Sequence, residues 1–198
     1  YMSLAGWDVN KSTKALMPVL KLAEATGADL AGTANLVTGS MNAMGVSFDN
    51  MDDLNGYFDV LVKANNKSAT TAGELMEAFT GVGGAAKAAG QDYKTTATAL
   101  GILANANTKG AEAGTALNSI LVRMTSKKEA MNAYKKLGVN IYDAAGNTRN
   151  FGDILKDTNK AMEGMTEEQK NSYLAAIAGT NYYSTYNQLL EGVNKTVD

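Results

Sequence analysis

The chain has 198 residues, 18 basic and 20 acidic side chains, a net charge of −2 and 45% hydrophobic residues, enough for one ordinary domain or two small ones. It contains neither cysteine nor histidine, which excludes disulfides, thiolate and imidazole metal sites, Ser-His-Asp triads and Cys-His pairs. Only carboxylate, Lys or Tyr chemistry remains for catalysis.

Arginine occurs only as Arg123 and Arg149. A charge-balanced, arginine-poor chain argues against sequence-specific nucleic-acid binding. No apolar run approaches the ~20 residues of a membrane span. With 20 glycines and 1 proline, the composition predicts helices separated by glycine stops. Tyr1 to Trp7 lacks the charged and apolar regions of a signal peptide, and Met2 is not first; the expectation is a segment cut from a longer protein.

Lys11 to Ala25 places Leu16, Val19, Leu20, Leu22 and Ala23 on one helical stripe, with Pro18 marking a start or a kink and Gly27 a stop. Asp29 is placed to cap a second helix that turns Leu30, Ala34, Val37, Met41 and Met44 inward and stops at Gly45. Asp49 or Asn50 opens a third, with Leu54, Phe58, Leu61 and Val62 as its stripe. Thr71 to Glu74 reads as a capping box that starts a helix through Leu75, Phe79 and Val82 to about Ala89. Asp92 caps the next helix, which faces inward through Leu100, Leu103 and Ala104, and another runs from about Thr108 to Met124. Ser126 to Glu129 reads as a second capping box, whose helix ends at Leu137-Gly138.

There the period changes. Val139 to Tyr142 alternates, Asp143 to Asn147 has turn chemistry, and Thr148 to Asn150 can return, so a short β-hairpin or extended loop is expected at 139–150. Helices resume with Phe151, Ile154 and Leu155. A third capping box, Thr166 to Gln169, opens a helix through Leu174 and Ile177 that Gly179 breaks; the last helix carries Tyr182, Tyr183, Tyr186, Leu189 and Leu190. The expected fold is all-α: an array of short amphipathic helices with one hairpin, in a single module over 1–198 that divides at 1–125 and 126–198.

Three Leu-x-x-Ala segments begin at Leu22, Leu61 and Leu103, and each has a further leucine fourteen residues on, at Leu36, Leu75 and Leu117. A period near 40 suits stacked helix pairs, so a helical pseudo-repeat is one reading and chance in an alanine-rich chain the other.

Candidate sites are few. Gly81 to Ala86 fits G-x-G-x-x-A but follows a helix rather than a strand, so close helix packing is preferred to dinucleotide binding, and the helical glycines should make a soft spot. Asp49, Asp52, Asp53 and Asn55-Gly56 resemble a calcium loop, yet Met51 occupies a ligand position and no glutamate sits at the twelfth; capping is preferred. Glu167 and Glu168 are adjacent and cannot flank a glycosidic bond. Lys127, Lys128, Lys135 and Lys136 with Arg123 read as a solvated face, and Tyr182, Tyr183 and Tyr186 as the edge of the core. No cofactor or metal is expected.

Lys109-Gly110-Ala111-Glu112-Ala113-Gly114-Thr115-Ala116-Leu117, preceded by Leu100 to Ala104, resembles the core region of phage tail tape measure proteins. The resemblance runs on through Leu4 to Trp7, Leu22-Ala23 with Asp29-Leu30, and Leu61 to Asn65. Beyond the core run it includes Leu137 to Val139, Asp143 to Gly146, Asp153 to Leu155, and Gly179. Thr108 departs from the family's usual aliphatic residue and Asn118 from a common basic one. The resemblance implies a non-catalytic structural module of a helical virion protein in the tail lumen, made in the bacterial cytoplasm or from a prophage. Such a protein sets tail length and leaves during genome ejection. Implied partners are the tail tube, tail chaperone and baseplate proteins, with self-association of the parent; Lys109, Gly110, Ala113, Gly114, Thr115 and Leu117 carry the motif. The rival readings are a cytoplasmic helical-repeat adaptor and, more remotely, a lysozyme-like hydrolase, which needs two carboxylates across a cleft.

Overall fold

Short polar side chains set where most of the helices begin. The structure, a computed structural model that describes residues 8–47 and 50–195, contains α1 (Val9–Thr26), α2 (Leu30–Met44), α3 (Met51–Lys67), α4 (Ala72–Ala88) and α5 (Tyr93–Asn105). It continues with α6 (Gly110–Ser126), α7 (Lys128–Leu137), α8 (Phe151–Ala161), α9 (Glu167–Ala178) and α10 (Tyr183–Val193). Asp8, Asp29, Asn50, Thr71, Asp92, Asn150 and Thr166 each accept a backbone N–H in the first turn that follows them, satisfying donors a helix start leaves unpaired. Thr71 with Glu74 and Thr166 with Gln169 close full capping boxes. Gly27, Gly45 and Gly138 end α1, α2 and α7 in the left-handed conformation.

Helix α4 lies at the centre, packed between α2 and α6 and touching α3 and α5 as well. Tyr57 fills the space beneath it, its ring 5.9 Å from those of both Phe58 and Phe79 and 5.7 Å from that of Tyr93. The later helices build onto this layer: α9 packs on α6 and α7, and α10 returns to pack on α5, α8 and α9. Most of the expected inward positions are buried, among them Val37, Leu54, Leu75, Phe79, Leu103, Leu117, Ile154 and Ile177.

Several expectations change. Helix α1 begins two residues early and runs through Pro18 without ending, and Leu16 and Leu20 stand on its surface while Ala15, Val19, Leu22 and Ala23 are buried. It packs mainly on α2 and α3, and part of its apolar face stays exposed, as does Leu30 of α2. Ser126 is not a cap: its hydroxyl donates back to the Val122 carbonyl at 2.6 Å as the last residue of α6, and Lys127 stands at the cap position of α7 without a side-chain hydrogen bond.

The β-hairpin expected at 139–150 does not form. One antiparallel bridge, Tyr142 with Thr148, is all the pairing there. The Asp143 carboxylate takes the Ala145 and Asn147 amides at 2.9 and 2.8 Å, which folds the tip as a local turn. Those two amides, with Gly146 behind, hold the Asp143 carboxyl below its ordinary range, the Asn147 amide most strongly. Beyond the bridge, the Asn140 carbonyl accepts from the Arg149 guanidinium at 2.7 Å, and the Arg149 carbonyl from Gln91 at 3.0 Å. The groups a longer ladder needs are already engaged.

Candidate functional site

Of the motif residues, Lys109 precedes α6 and Gly110 to Leu117 form its first two turns, where it crosses α4. Gly110 opens the helix at φ +53°, a conformation other residues adopt only with strain. A Cβ there would also sit 3.1 Å from a Glu77 carboxylate oxygen. One turn on, Gly114 is buried, and a Cβ on it would lie 2.5 Å from the Ala78 carbonyl oxygen and 2.9 Å from its Cα. The two backbones therefore meet with no side chain between them. Ala113 and Leu117 are buried beside this contact, and the Thr115 hydroxyl is spent on the Ala111 carbonyl at 2.8 Å. Lys109 precedes the helix and makes no side-chain cap. It adds its charge to the Thr71 amide, the main influence that holds the Glu74 carboxyl below the usual range.

The same device recurs on the other side of α4. A Cβ on Gly83 would stand 2.6 Å from the Ala43 carbonyl carbon and oxygen, so α2 approaches as closely as α6 does. The Gly81 to Ala86 run is thus a packing surface at Gly83, while a Cβ on Gly84 meets nothing within 4 Å. Asn118, at a motif departure, donates to the Gly81 carbonyl at 2.9 Å and ties the crossing from outside. Asn50 accepts the Asp52 and Asp53 amides and so acts as a cap; Asp49 lies outside the described residues, as do Leu4 to Trp7.

Arg123 leaves the basic cluster in which the sequence places it. Its guanidinium donates to the Ile177 and Ala176 carbonyls, each at 3.1 Å, at the end of α9. A Cβ on Gly179 would come within 3.2 Å of that guanidinium, which explains a small residue there. Lys127, Lys128, Lys135 and Lys136 are exposed. Tyr186 is buried with its hydroxyl 2.8 Å from that of Tyr134, whereas Tyr183 is exposed.

Sequence reasoning missed Gln91. Buried between α4 and α5, it donates to the Ala89 and Arg149 carbonyls at 2.6 and 3.0 Å and accepts the Phe151 amide at 2.8 Å, clipping the 139–150 loop to the central layer. Its one local signal is a polar residue wedged between the Gly90 stop and the Asp92 cap. Asn105 and Asn65 act alike on the α3–α4 turn, accepting the Ala69 and Ala72 amides at 2.9 and 3.1 Å.

Among the described residues no group of carboxylates is arranged to hold a metal ion, and no helix is long and apolar enough to cross a membrane. The motif builds one tight helix crossing, α4 with α6, and Gly83 a second, α4 with α2. A family model described as phage-related minor tail protein matches residues 1–179, helices α1 to α9. The chain belongs to that family. It is 30% identical over all 198 residues to the tape measure protein of Pneumococcus phage Dp-1, and 32% identical over 178 residues, 88% of the chain, to the probable tape measure protein of Escherichia phage P2. It spans 17% and 22% of the lengths of these two relatives. No solved structure matches this minor tail family chain.

Proposed function

We propose that the chain is a structural, non-catalytic module of a tail tape measure protein, acting in tail assembly, tail-length determination and genome ejection. The observation that carries this reading is the alignment of the whole chain with a tape measure protein at 30% identity. Its place is the tail lumen of the virion, after assembly in the bacterial cytoplasm, and its partners are tail tube, chaperone and baseplate proteins, with further copies of the parent. Residues 1–198 form one module, with 1–125 as the glycine-crossed layer and 126–198 as the helices built onto it. The helix pairs α1–α2, α3–α4 and α5–α6, which carry the equivalent leucines, descend in this reading from one repeated helical hairpin. Lys109, Gly110, Ala113, Gly114, Thr115 and Leu117 serve this module by setting the α4–α6 crossing, not by binding a ligand.

In-frame deletion of the segment from the parent gene tests the assignment by tail length in electron micrographs and by infectivity. The expected result is loss of infectivity, with any tails that form shortened by far less than the about 300 Å a continuous helix of this many residues would span. Deletion phage with normal tails and normal infectivity would overturn the assignment.

A further inference from the structure

A cluster of exposed lysines lines a groove between α3 and α5. Lys63 and Lys67 stand on one wall, Lys94 on the other and Lys195 at one end, around a volume of about 700 Å³ in which Asp59 is the single carboxylate. All four lysines are exposed, and none pairs with a carboxylate; among the described residues the ion pairs are Arg149–Asp157 and Lys170–Glu167. A lining of four cations against one anion, in a chain whose net charge is −2, is a local excess that attracts an acidic occupant.

Ala64 and Ala97 are small residues of the groove's lining, whereas the lining glycines are covered by this chain's own side chains: a Cβ on Gly56 would meet the Tyr93 hydroxyl, and one on Gly101 would lie 3.0 Å from the Ser68 hydroxyl. Lys63 and Lys67 are one helical turn apart, about 6 Å along the axis, the spacing of two carboxylates at i and i+4 on a facing helix. An adjoining hollow of about 190 Å³ shares Ile102, Asn105 and Lys195 with the groove and is also lined by a second carboxylate, Glu191, and by Gln188, whose buried Oε1 has no hydrogen-bond partner. A nucleic-acid duplex fits less well: it presents a convex surface, and the walls carry lysine with no arginine to fork a phosphate.

We propose that this groove docks an acidic amphipathic helix of a partner protein, its small apolar stripe against Ala64 and Ala97 and its carboxylates between Lys63, Lys67 and Lys94. The inference stands on the groove alone and does not rest on the tail assignment. The test is fluorescence anisotropy of the 198-residue chain with a labelled helical peptide of Ala and Leu flanked by Glu at i, i+4 spacing. The same peptide with Lys for Glu and a short DNA duplex are run beside it.

The Glu peptide is expected to bind saturably, to weaken as salt rises, and to lose about 10-fold or more in affinity in Lys63→Glu/Lys67→Glu. The Lys135→Glu/Lys136→Glu control on α7, which removes the same bulk charge, is expected to bind as the parent does. Circular dichroism and the urea midpoint establish that both variants are folded. No saturable binding of the Glu peptide, an equal loss in the α7 control, or tighter binding of the duplex would each overturn the proposal.

Discussion

Gly114 and Gly84 have the same side chain, and the structure assigns them opposite roles. At Gly114 a methyl group would press into the Ala78 backbone, so Gly114→Ala should lower stability by about 1–3 kcal/mol through overpacking, read as a lower urea midpoint. At Gly84, exposed in the interior of α4 with open space around it, alanine should raise stability by up to about 1 kcal/mol, since glycine is the poorer helix former. A fall in midpoint at Gly84 or none at Gly114 would contradict this geometry. Caps divide in the same way. Thr71→Ala removes a reciprocal capping box and should cost about 1 kcal/mol. Ser126→Ala removes only a back-bond at the end of α6 and should stay within about 0.5 kcal/mol. The soft spot expected of the glycine-rich run in α4 can then lie only at Gly81 and Gly84, where a Cβ would fit, because Gly83 is occupied by α2.

At the scale of elements, the helix starts were legible where the signal is local. Asp29, Thr71, Asp92 and Thr166 cap within three residues of themselves, and a reader of the chain needs nothing else. The 139–150 segment was not, because its outcome depends on Gln91, nearly sixty residues away, which takes a carbonyl that a hairpin would have used. Arg123 misled for a similar reason. In sequence it neighbours lysines, while in space it closes the end of α9. The motif at 109–117 was legible as a unit, and the close approach at Gly114 followed from its size, but that the partner is Ala78 could only come from the fold.

The link between α7 and α10 makes a pH prediction. Burial raises the Tyr134 hydroxyl well above its usual 10 and pushes Tyr186 up to about 12. A folded-state value above the unfolded one gives stability that is complete below pH 10 and drains as pH rises from 10 toward 12, because the unfolded chain releases its protons first. Urea midpoints should therefore fall steeply above pH 10, by up to about 1.4 kcal/mol per pH unit for each buried tyrosine. Tyr134→Phe should make that fall shallower; an unchanged slope would remove both hydroxyls from the account.

For the whole molecule, folding back is what the glycine stops and caps achieve. The ten helices of the described residues each bury one face and must share a common core, and the chain in solution should have a radius of gyration of roughly 16 Å if monomeric. Small-angle scattering that reported an extended rod would contradict this. The return of α10 onto α5 has a mechanical consequence. A pull on the amino-terminal end loads α1, held mainly by α2 and α3, and can peel it away turn by turn at low force. A pull on the carboxyl-terminal end must first drag α10 across α5, α8 and α9 together, loading many contacts at once. The module is therefore a directional resistor: in an optical trap, tethering Val9 and an interior site should give gradual low-force extension, and tethering Val193 and the same site one abrupt rupture.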